Sequence, residues 1–374
     1  MIGWKKARLE DCCRSISDGD HLPPPKTDSG IPFVTISDIH NNRFDLSKTR
    51  FVPEAYYEAI DQKRKIQKGD VLYSVVGSYG IPVFADESLK VAFQRHIAIL
   101  RPSEEIEPRF LYYSMLNRDF FLKADAVAVG AAQKTITLAA LRGLEIALPP
   151  LPIQRRIAAI LSDYDSAIDN ARRQIALLEE AAMRLYREWF GDGRQEKVLL
   201  VDVASVTYGF PFVGKLFNDK GLGLPIIRIR NVPEGLSKDF TTEKAPDRYI
   251  VKDGDILIGM DGEFYVNFWS GGDAYLVQRT CRLRPNDAHM FGFVLEAIKG
   301  PIRAFQSAIV GSTVGHLGKK DIDTISIPIP KDKKIVDLLQ DGFEQRLTLM
   351  KQICSLTEAR DRLLPKLMSG EIEV

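Results

Sequence analysis

Two stretches of the chain place apolar residues at alternating spacings of four and three, the pattern of a helix with one continuous apolar stripe. The first stripe follows the proline-rich residues 148–152 and stops before Gly191. Its members are Ile157, Leu161, Tyr164, Ile168, Ala171, Ile175, Leu178, Ala182, Leu185 and Trp189. The pattern predicts a helix over residues 151–191, roughly 55 to 60 Å long, whose stripe needs a partner to cover it.

The second stripe lies within residues 331–374. Its apolar members are Ile335, Leu339, Leu349, Ile353, Leu356, Leu363 and Leu367. Arg346 and Arg360 occupy stripe positions and Gly342 weakens the first turns, so the pattern leaves the start and register of this helix poorly defined. The simplest expectation is that the two long helices pair as an antiparallel coiled coil.

The regions before the two helices, residues 1–150 and 192–330, repeat each other in order at an offset of about 180 to 190 residues. The matched segments are Gly30-Ile-Pro-Phe-Val with Gly223-Leu-Pro-Ile-Ile, Lys68-Gly-Asp-Val-Leu with Asp253-Gly-Asp-Ile-Leu, Gln94-Arg95 with Gln278-Arg279, and Arg101-Pro102 with Arg284-Pro285. The repeat predicts an α+β protein of two similar mixed α/β modules, each followed by a long helix.

Short apolar runs inside the modules predict strands, and the Gly-Asp pairs ahead of two of them predict tight turns. The strands are expected over residues 31–36, 71–76, 226–229 and 256–258. Helices are expected over residues 109–122 and, in the second module, 290–306.

Composition narrows the class of protein without naming its function. The four cysteines, Cys12, Cys13, Cys281 and Cys354, form no CxxC pair and have no histidine at metal-ligand spacing, which predicts reduced thiols in a cytoplasmic protein without a metal site. We find no signal-peptide pattern and no apolar run of membrane-spanning length, and so expect no membrane partner. The net charge of +1 counts against nucleic-acid binding unless the charges are unevenly placed.

A search for catalytic motifs finds none. The chain has no GxxxxGK[ST] phosphate loop and no Asn/Asp-Pro-Pro-Tyr/Phe tetrapeptide of the kind that amino-methyltransferases use. Asp261 and Glu263 could form an acid/base pair, but a turn between strands is the plainer interpretation. The expectation is a chain without a catalytic residue.

Three segments resemble the specificity subunit of type I restriction-modification systems. They are Gly254-Asp-Ile-Leu-Ile-Gly-Met-Asp-Gly-Glu-Phe with Val277-Gln-Arg, Leu148-Pro-Pro-Leu-Pro-Ile-Gln-Arg-Arg-Ile with Leu185-Tyr-Arg-Glu-Trp-Phe, and Leu363-Leu-Pro-Lys-Leu-Met-Ser-Gly-Glu-Ile. The family usually has Glu-Gln where this chain has Ile153-Gln154.

The resemblance implies a catalytically silent subunit whose modules are target-recognition domains. Each domain would read one half of a split sequence in double-stranded DNA, and the helix pair would set the unread spacer. The implied partners are two methyltransferase (modification) subunits and, in the restriction form, restriction/translocase subunits. S-adenosylmethionine, ATP and Mg would be bound by those partners, and no cofactor by this chain.

Two modules that read different half-sites should share their scaffold and differ where bases are read. The matched residues Gln94, Arg95, Gln278 and Arg279 are therefore expected to serve as scaffold or phosphate anchors. The differing positions are the candidates for DNA contact: Ser17, Asp18, His21, Lys26, Ser37, Asp38, Ser78, Tyr79, Lys134 and Thr135 in the first module, and Tyr208, Arg230, Asn231, Glu263, His316 and Lys319 in the second. Among these, Arg and Asn are side chains that contact guanine and adenine bidentately.

Each candidate has a structural alternative. Loop Ser, Asp and Asn residues commonly cap turns, lysines are commonly solvated, and Tyr208 suits a core position. For the whole chain the alternatives are a complete methyltransferase or nuclease and a protein-interaction adaptor with a coiled-coil arm. The near-neutral charge slightly favours the adaptor.

Overall fold

The computed structural model describes residues 4–21, 24–131, 133–308 and 315–374, and these fall into two compact units. Unit 1 comprises Met1–Ser166 and Leu356–Val374, and unit 2 comprises Ala167–Ser355. Each unit therefore contains one of the repeated modules together with a part of each long helix.

In the first half of the chain, short strands alternate with short helices and lead into the first long helix. The elements are β1 (Lys5–Arg8), α1 (Leu9–Cys12), β2 (Cys13–Asp18), β3 (Ile31–Val34), β4 (Ile39–His40), β5 (Arg43–Phe44), β6 (Arg50–Val52), α2 (Glu54–Ala59), β7 (Val71–Ser74), β8 (Pro82–Phe84), β9 (Ala92–Phe93), β10 (Ile97–Pro102), α3 (Pro108–Leu116), α4 (Arg118–Ala126), α5 (Leu138–Gly143), β11 (Glu145–Leu148) and α6 (Leu151–Phe190).

The second half repeats this order and ends in the second long helix. The elements are β12 (Lys197–Leu199), α7 (Leu200–Val203), β13 (Ala204–Tyr208), β14 (Phe217–Asn218), β15 (Leu224–Ile227), β16 (Phe240–Thr241), β17 (Ile250–Val251), β18 (Ile256–Gly259), β19 (Val266–Phe268), β20 (Ala274–Leu276), β21 (Thr280–Pro285), α8 (Phe291–Ala308), α9 (Lys319–Asp323), β22 (Ser326–Pro328) and α10 (Lys333–Met368).

The main sheet of unit 1 is antiparallel, with strand order β2-β10-β7-β8, and a second sheet has the order β6-β3-β9. All four residues of β7 are buried, as are the first four of β10, which explains why these strands appear in the sequence as continuous apolar runs. Their core includes Phe110 and Tyr113 of α3, Leu161 of α6, and Leu367 of α10.

Unit 2 has the same design. Its antiparallel sheet has the order β13-β21-β18-β19, and its second sheet, β14-β16-β15-β20-β17, keeps the parallel pairing of β15 with β20 that unit 1 has between β3 and β9. Helix α8 packs on the antiparallel sheet through Phe293, and the core includes Phe190 of α6 and Phe343 of α10.

Each repeated Gly-Asp turn leads to a buried ion pair. Asp70 receives two hydrogen bonds from Arg101, at 3.0 and 2.9 Å, and Asp255 receives two from Arg284, at 2.7 and 2.5 Å. Both aspartates are almost fully buried, so each carboxylate needs its bidentate arginine to offset desolvation. These matched residues belong to the shared scaffold.

A second shared feature is a close backbone approach at a glycine. A Cβ atom on Gly19 would lie 2.2 Å from the carbonyl oxygen of Phe93, and one on Gly209 would lie 2.0 Å from that of Val277. Since side chains cannot approach a backbone oxygen so closely, glycine is required where β2 and β13 end and pass the second sheet.

Several predicted elements differ from the structure at their ends. The strands expected over residues 31–36 and 226–229 stop at Val34 and Ile227, because the next residues form capped 3₁₀ turns. The strand expected over residues 71–76 stops at Ser74. The single helix expected over residues 109–122 is two helices, since Asn117 has an extended backbone and its side chain accepts a hydrogen bond from Asp119 N.

The long helices lie where the two stripes place them, and their stripe residues are buried or half-buried with one exception. Trp189 is 44% exposed, and the adjacent Phe190 is buried instead. The last turn of α6 packs on unit 2, where the ring of Phe190 meets that of Phe293 at 5.3 Å. The prediction for Trp189 is wrong because that packing selects the neighbouring face of the helix.

Both arginines on the second stripe have acidic partners. In unit 1, Arg360 Nη1 lies 2.6 Å from Asp165 of α6, whose other oxygen accepts a hydrogen bond from Tyr113. In unit 2, Arg346 Nη2 lies 3.5 Å from Glu179 of α6. Charged groups are thus tolerated within the stripe because they are paired. Within the described residues, no helix is both long and apolar enough to cross a membrane.

Candidate nucleic-acid interface

Loops from one end of the main sheet meet in each unit. In unit 1 the amide of Val75, after β7, donates to His96 of the β9–β10 turn, and the amide of Ile136 donates back to Val75. In unit 2 Met260 N donates to the Arg279 carbonyl, and Leu317 N donates to Met260. We call these equivalent groupings the loop clusters, which comprise residues 75–80, 94–96 and 133–136 in unit 1, and 260–265, 277–279 and 315–317 in unit 2.

The equivalent hydrogen bonds correct the alignment of the Gln-Arg pairs. Because His96 and Arg279 accept the same backbone bond, Arg95 corresponds to Gln278, and Gln94 corresponds to Val277. The two pairs are therefore displaced by one residue, and Gln278 and Arg279 do not occupy the positions of Gln94 and Arg95. The turn is held by backbone groups, so its side chains are free to differ.

The loop cluster of unit 1 joins two of the candidate residues. The Tyr79 hydroxyl donates to Asp125 Oδ1, and Lys134 Nζ lies 2.8 Å from the same oxygen. The hydrogen bond from Lys134, followed by that from Tyr79, holds the pKa of Asp125 below its usual value, and the pKa values of Lys134 and Tyr79 are raised. Ser78 is exposed beside Tyr79, and Thr135 pairs through its backbone with Val129.

A basic cleft of about 410 Å³ lies beside this cluster in unit 1. Its lining includes the basic residues His21, Lys26, Arg50, Arg95 and His96, together with Gln94 and the acidic Asp20. Burial and the neighbouring Arg95 hold the pKa of His96 below its usual range. The positive charge of the cleft therefore comes from Lys26, Arg50 and Arg95, and it exceeds the single negative charge of Asp20.

The other candidates of unit 1 are engaged within the fold. Ser17 donates to the Lys63 carbonyl at 2.6 Å, and Asp18 accepts from His21 at 2.9 Å. The remaining two form a turn with Thr35: Ser37 bonds its hydroxyl, and Asp38 accepts from its amide at 2.7 Å. For Asp38 the capping alternative describes the contact.

In unit 2, Arg279, Asp261 and His316 form a connected group. Arg279 Nε lies 3.3 Å from Asp261 Oδ2, and His316 Nδ1 lies 2.5 Å from Asp261 Oδ1. Because a carboxylate can only accept a hydrogen bond, His316 must carry a proton on Nδ1 to donate to Asp261. The same nitrogen therefore cannot accept a hydrogen bond from Arg279 Nη1, which lies 3.1 Å away. Asp261 therefore holds both side chains.

Of the remaining five candidates of unit 2, three form hydrogen bonds or ion pairs within the fold, and the other two are distinguished by their burial. Arg230 makes a bidentate pair with Asp239, at 3.1 and 2.5 Å, while Asn231 accepts from the Arg228 amide as Asp38 does in unit 1. Glu263 accepts from Tyr265 at 2.7 Å and does not pair with Asp261 as a catalytic dyad would. The final two differ in exposure: Tyr208 is half-buried against the core, and Lys319 is exposed at the start of α9.

Sequence reasoning missed Arg50, His96 and Asp125. His96 follows directly after Gln94-Arg95, and the correct register of the repeat would have paired it with Arg279. Arg50 and Asp125 carry no signal, since each reaches its site only through the tertiary fold. The described part of the chain contains no group of three or more His, Cys, Asp or Glu residues that could hold a metal ion.

Comparison with known proteins gives the class. Residues 1–180 and 195–357 match the model of the type I restriction modification DNA specificity domain. The chain belongs to this family of type I specificity subunits, which recognise DNA and are non-catalytic, with catalysis in the partner subunits. The resemblance inferred from the sequence motifs is thereby confirmed.

Individual relatives agree with this assignment. The chain is 23% identical over 380 residues to the MjaIX specificity subunit of Methanocaldococcus jannaschii, covering 92% of this chain and 87% of that one. It is 30% identical over 175 residues to the EcoBI specificity subunit of Escherichia coli, covering 46% of this chain and 35% of that subunit. The crystal structure of a type I system S subunit from M. genitalium aligns with a TM-score of 0.56 and 18% identity, covering 98% of this chain and 96% of that one, which shows the common fold.

Proposed function

We propose that this specificity subunit reads a bipartite DNA site, with one unit for each half. The observation that carries the proposal is a contrast between the units. They share the Asp–Arg pairs of the scaffold and differ in exposed groups at positions that do not correspond: unit 1 holds Tyr79 and Lys134 on Asp125, whereas unit 2 holds Arg279 and His316 on Asp261. A common scaffold with different exposed side chains fits two readers of different sequences.

The two long helices are proposed to pair as an antiparallel coiled coil that sets the spacer. Support comes from their ion pairs. From Asp165 to Glu179 the chain advances 14 residues along α6, and their partners, Arg360 and Arg346, are 14 residues apart in the opposite direction along α10. Equal and opposite steps are what antiparallel pairing requires.

The helices are also the proposed docking surface for two methyltransferase subunits and for restriction/translocase subunits. Leu177, Met183 and Trp189 are exposed on α6, and Leu177 is 65% exposed. Large apolar side chains on a polar helix face suit a protein partner. S-adenosylmethionine, ATP and Mg are assigned to those partners, and none to this chain.

The test is methylome sequencing of a methylation-free host that expresses the cognate methylating subunit with and without this chain. A split adenine-methylated motif that appears only with the chain would support the proposal. Unchanged methylation, with assembly of the complex shown by size-exclusion chromatography, would favour the adaptor alternative.

Two further variants separate the parts of the proposal. Removing two turns from the centre of α6, together with the matching turns of α10, should shorten the spacer and leave both half-site sequences intact. Exchanging residues 1–150 for another module should change one half-site. Loss of both half-sites in the exchange, in a complex that still assembles, would contradict independent reading by the two units.

A further inference from the structure

One arginine in unit 2 combines backbone strain with a side chain that is exposed and yet held. Arg279 has a φ of 70°, and the other described non-glycine residues with positive φ are Asn41 and Asn42. Asparagine tolerates this conformation, whereas arginine rarely adopts it. Such backbone conformations concentrate at functional sites, because the surrounding fold must impose them.

The ion pair of Arg279 is specific to unit 2. The positions of Arg279, Asp261 and His316 are occupied in unit 1 by His96, Val76 and Thr135, none of which can form an ion pair with the others. By contrast, the Arg284–Asp255 pair, on the next strand, is repeated in unit 1. The Arg279–Asp261 pair is exposed and specific to unit 2, as expected of residues that read bases. The buried Arg284–Asp255 pair is repeated in both units, as expected of the scaffold.

The geometry leaves part of the guanidinium available. Arg279 is 56% exposed and uses Nε and Nη1 toward Asp261, while Nη2 has no hydrogen-bond partner among the described residues. His316 Nδ1 lies 2.5 Å from Asp261 Oδ1, the oxygen that Arg279 Nη1 also contacts, at 3.5 Å. The guanidinium is therefore oriented before any ligand arrives, which lowers the cost of ordering it on binding.

We propose that Arg279 reads a guanine in the half-site of unit 2, and that Asp261 and His316 are positioning residues that orient it. Arginine contacts the O6 and N7 acceptors of guanine in the major groove. A phosphate contact is less suitable, because the adjacent Asp261 carboxylate offsets the positive charge that attracts a phosphate. The remaining N–H groups of Arg279 can still donate hydrogen bonds to a base. The inference rests on the proposed function and adds the residue and the base.

The experiment uses the complex of the full chain with its methylating subunit, and binding of duplexes in which each base pair of the half-site is changed in turn. The wild-type complex should lose affinity roughly 5- to 150-fold when one particular G·C pair is changed. In the Arg279→Gln complex that discrimination should fall to near 1-fold, with the other positions and the first half-site still discriminated. Asp261→Asn should reduce it partially, by loosening the arginine.

A matched control is available in the same unit. Arg194 is exposed, and its Nε also lies 3.3 Å from an aspartate oxygen, that of Asp192. Arg194→Gln removes the same charge from the same kind of pair, and it should leave every base preference unchanged. Thermal unfolding of each complex checks that the variants are folded.

The outcomes are distinct. Uniform weakening of all duplexes in Arg279→Gln, with a smaller dependence of affinity on salt, would identify a phosphate contact and overturn the inference. Unchanged discrimination would overturn it as well, while leaving the bipartite reading intact. If the wild-type complex shows no split motif at all, the proposed function itself fails.

Discussion

Replacing Arg346 with alanine should destabilise unit 2 strongly, although this residue lies on a helix with an exposed polar face. The Arg346 side chain is only 5% exposed, and its guanidinium lies 3.6 Å from Glu296 and 3.5 Å from Glu179. Lys299 completes the group, with Nζ at 2.7 Å from Glu296. Two positive and two negative groups are thus balanced, and Glu296 is almost fully buried.

The magnitude follows from what the substitution leaves behind. Removing one member of a buried ion pair typically costs 3–5 kcal/mol, because the remaining charge stays desolvated. Glu296 keeps Lys299, so we expect a loss near the lower end, about 3 kcal/mol. The double variant Arg346→Met with Glu296→Met removes both charges and retains apolar volume, and it should cost less than the alanine substitution, about 0–2 kcal/mol.

The assay is urea unfolding of the full chain followed by tryptophan fluorescence, which reports on unit 2 through Trp189 and the buried Trp269, and on unit 1 through Trp4. The control is Arg184→Ala, since that arginine is 74% exposed and paired at 2.5 Å with Glu180 one turn earlier. Its loss should be within about 0.5 kcal/mol. The reasoning is refuted if Arg346→Ala matches this control, or if the double variant is less stable than Arg346→Ala.

Three further predictions test other features of the fold, each through variants followed by thermal or urea unfolding. Gly209→Ala should cost at least about 2 kcal/mol because of the close backbone approach, whereas Gly342→Ala, in open space within α10, should be neutral or stabilise by up to about 1 kcal/mol; equal effects would contradict the approach argument. Phe190→Ala should cost about 3–5 kcal/mol and Trp189→Ala under about 1 kcal/mol, and the reverse order would restore the stripe pattern. Asp125 has a lowered pKa in the folded state, so its contribution is present at neutral pH and is lost as the pH falls below about 4; the difference in Tm between the wild type and Asp125→Asn should close in acid, and a constant difference would argue against the pKa shift.

The long helices and the repeat could be predicted because both are periodic. The stripe locates α6, whose bounds are Leu151–Phe190, since helix packing imposes its spacing over about eleven turns. The exception, Trp189, occurs in the last turn of α6, where the buried side chain is Phe190, packed on the core that contains Phe293. A stripe of constant spacing does not reveal this local change in which side of the helix is buried.

Helix and strand ends were predicted less well because single polar side chains decide them. Asn117 divides one expected helix into two through one hydrogen bond, and Asp38 and Asn231 stop strands by closing 3₁₀ turns. The sequence contains these residues, but nothing in their spacing separates a cap from a base-reading side chain.

The candidate interface shows why a repeat sorts scaffold from reading residues only when its register is known. Gln94-Arg95 and Gln278-Arg279 match as letters, yet backbone hydrogen bonds pair Arg279 with His96. The two Gln-Arg pairs are identical in sequence but lie one residue apart in the fold. The structurally equivalent residues therefore differ between the two units. The proposal that Arg279 reads a base therefore replaces its sequence-based assignment to scaffold or phosphate anchoring, whereas the side chain of Asn231, a candidate DNA contact from sequence, closes a turn.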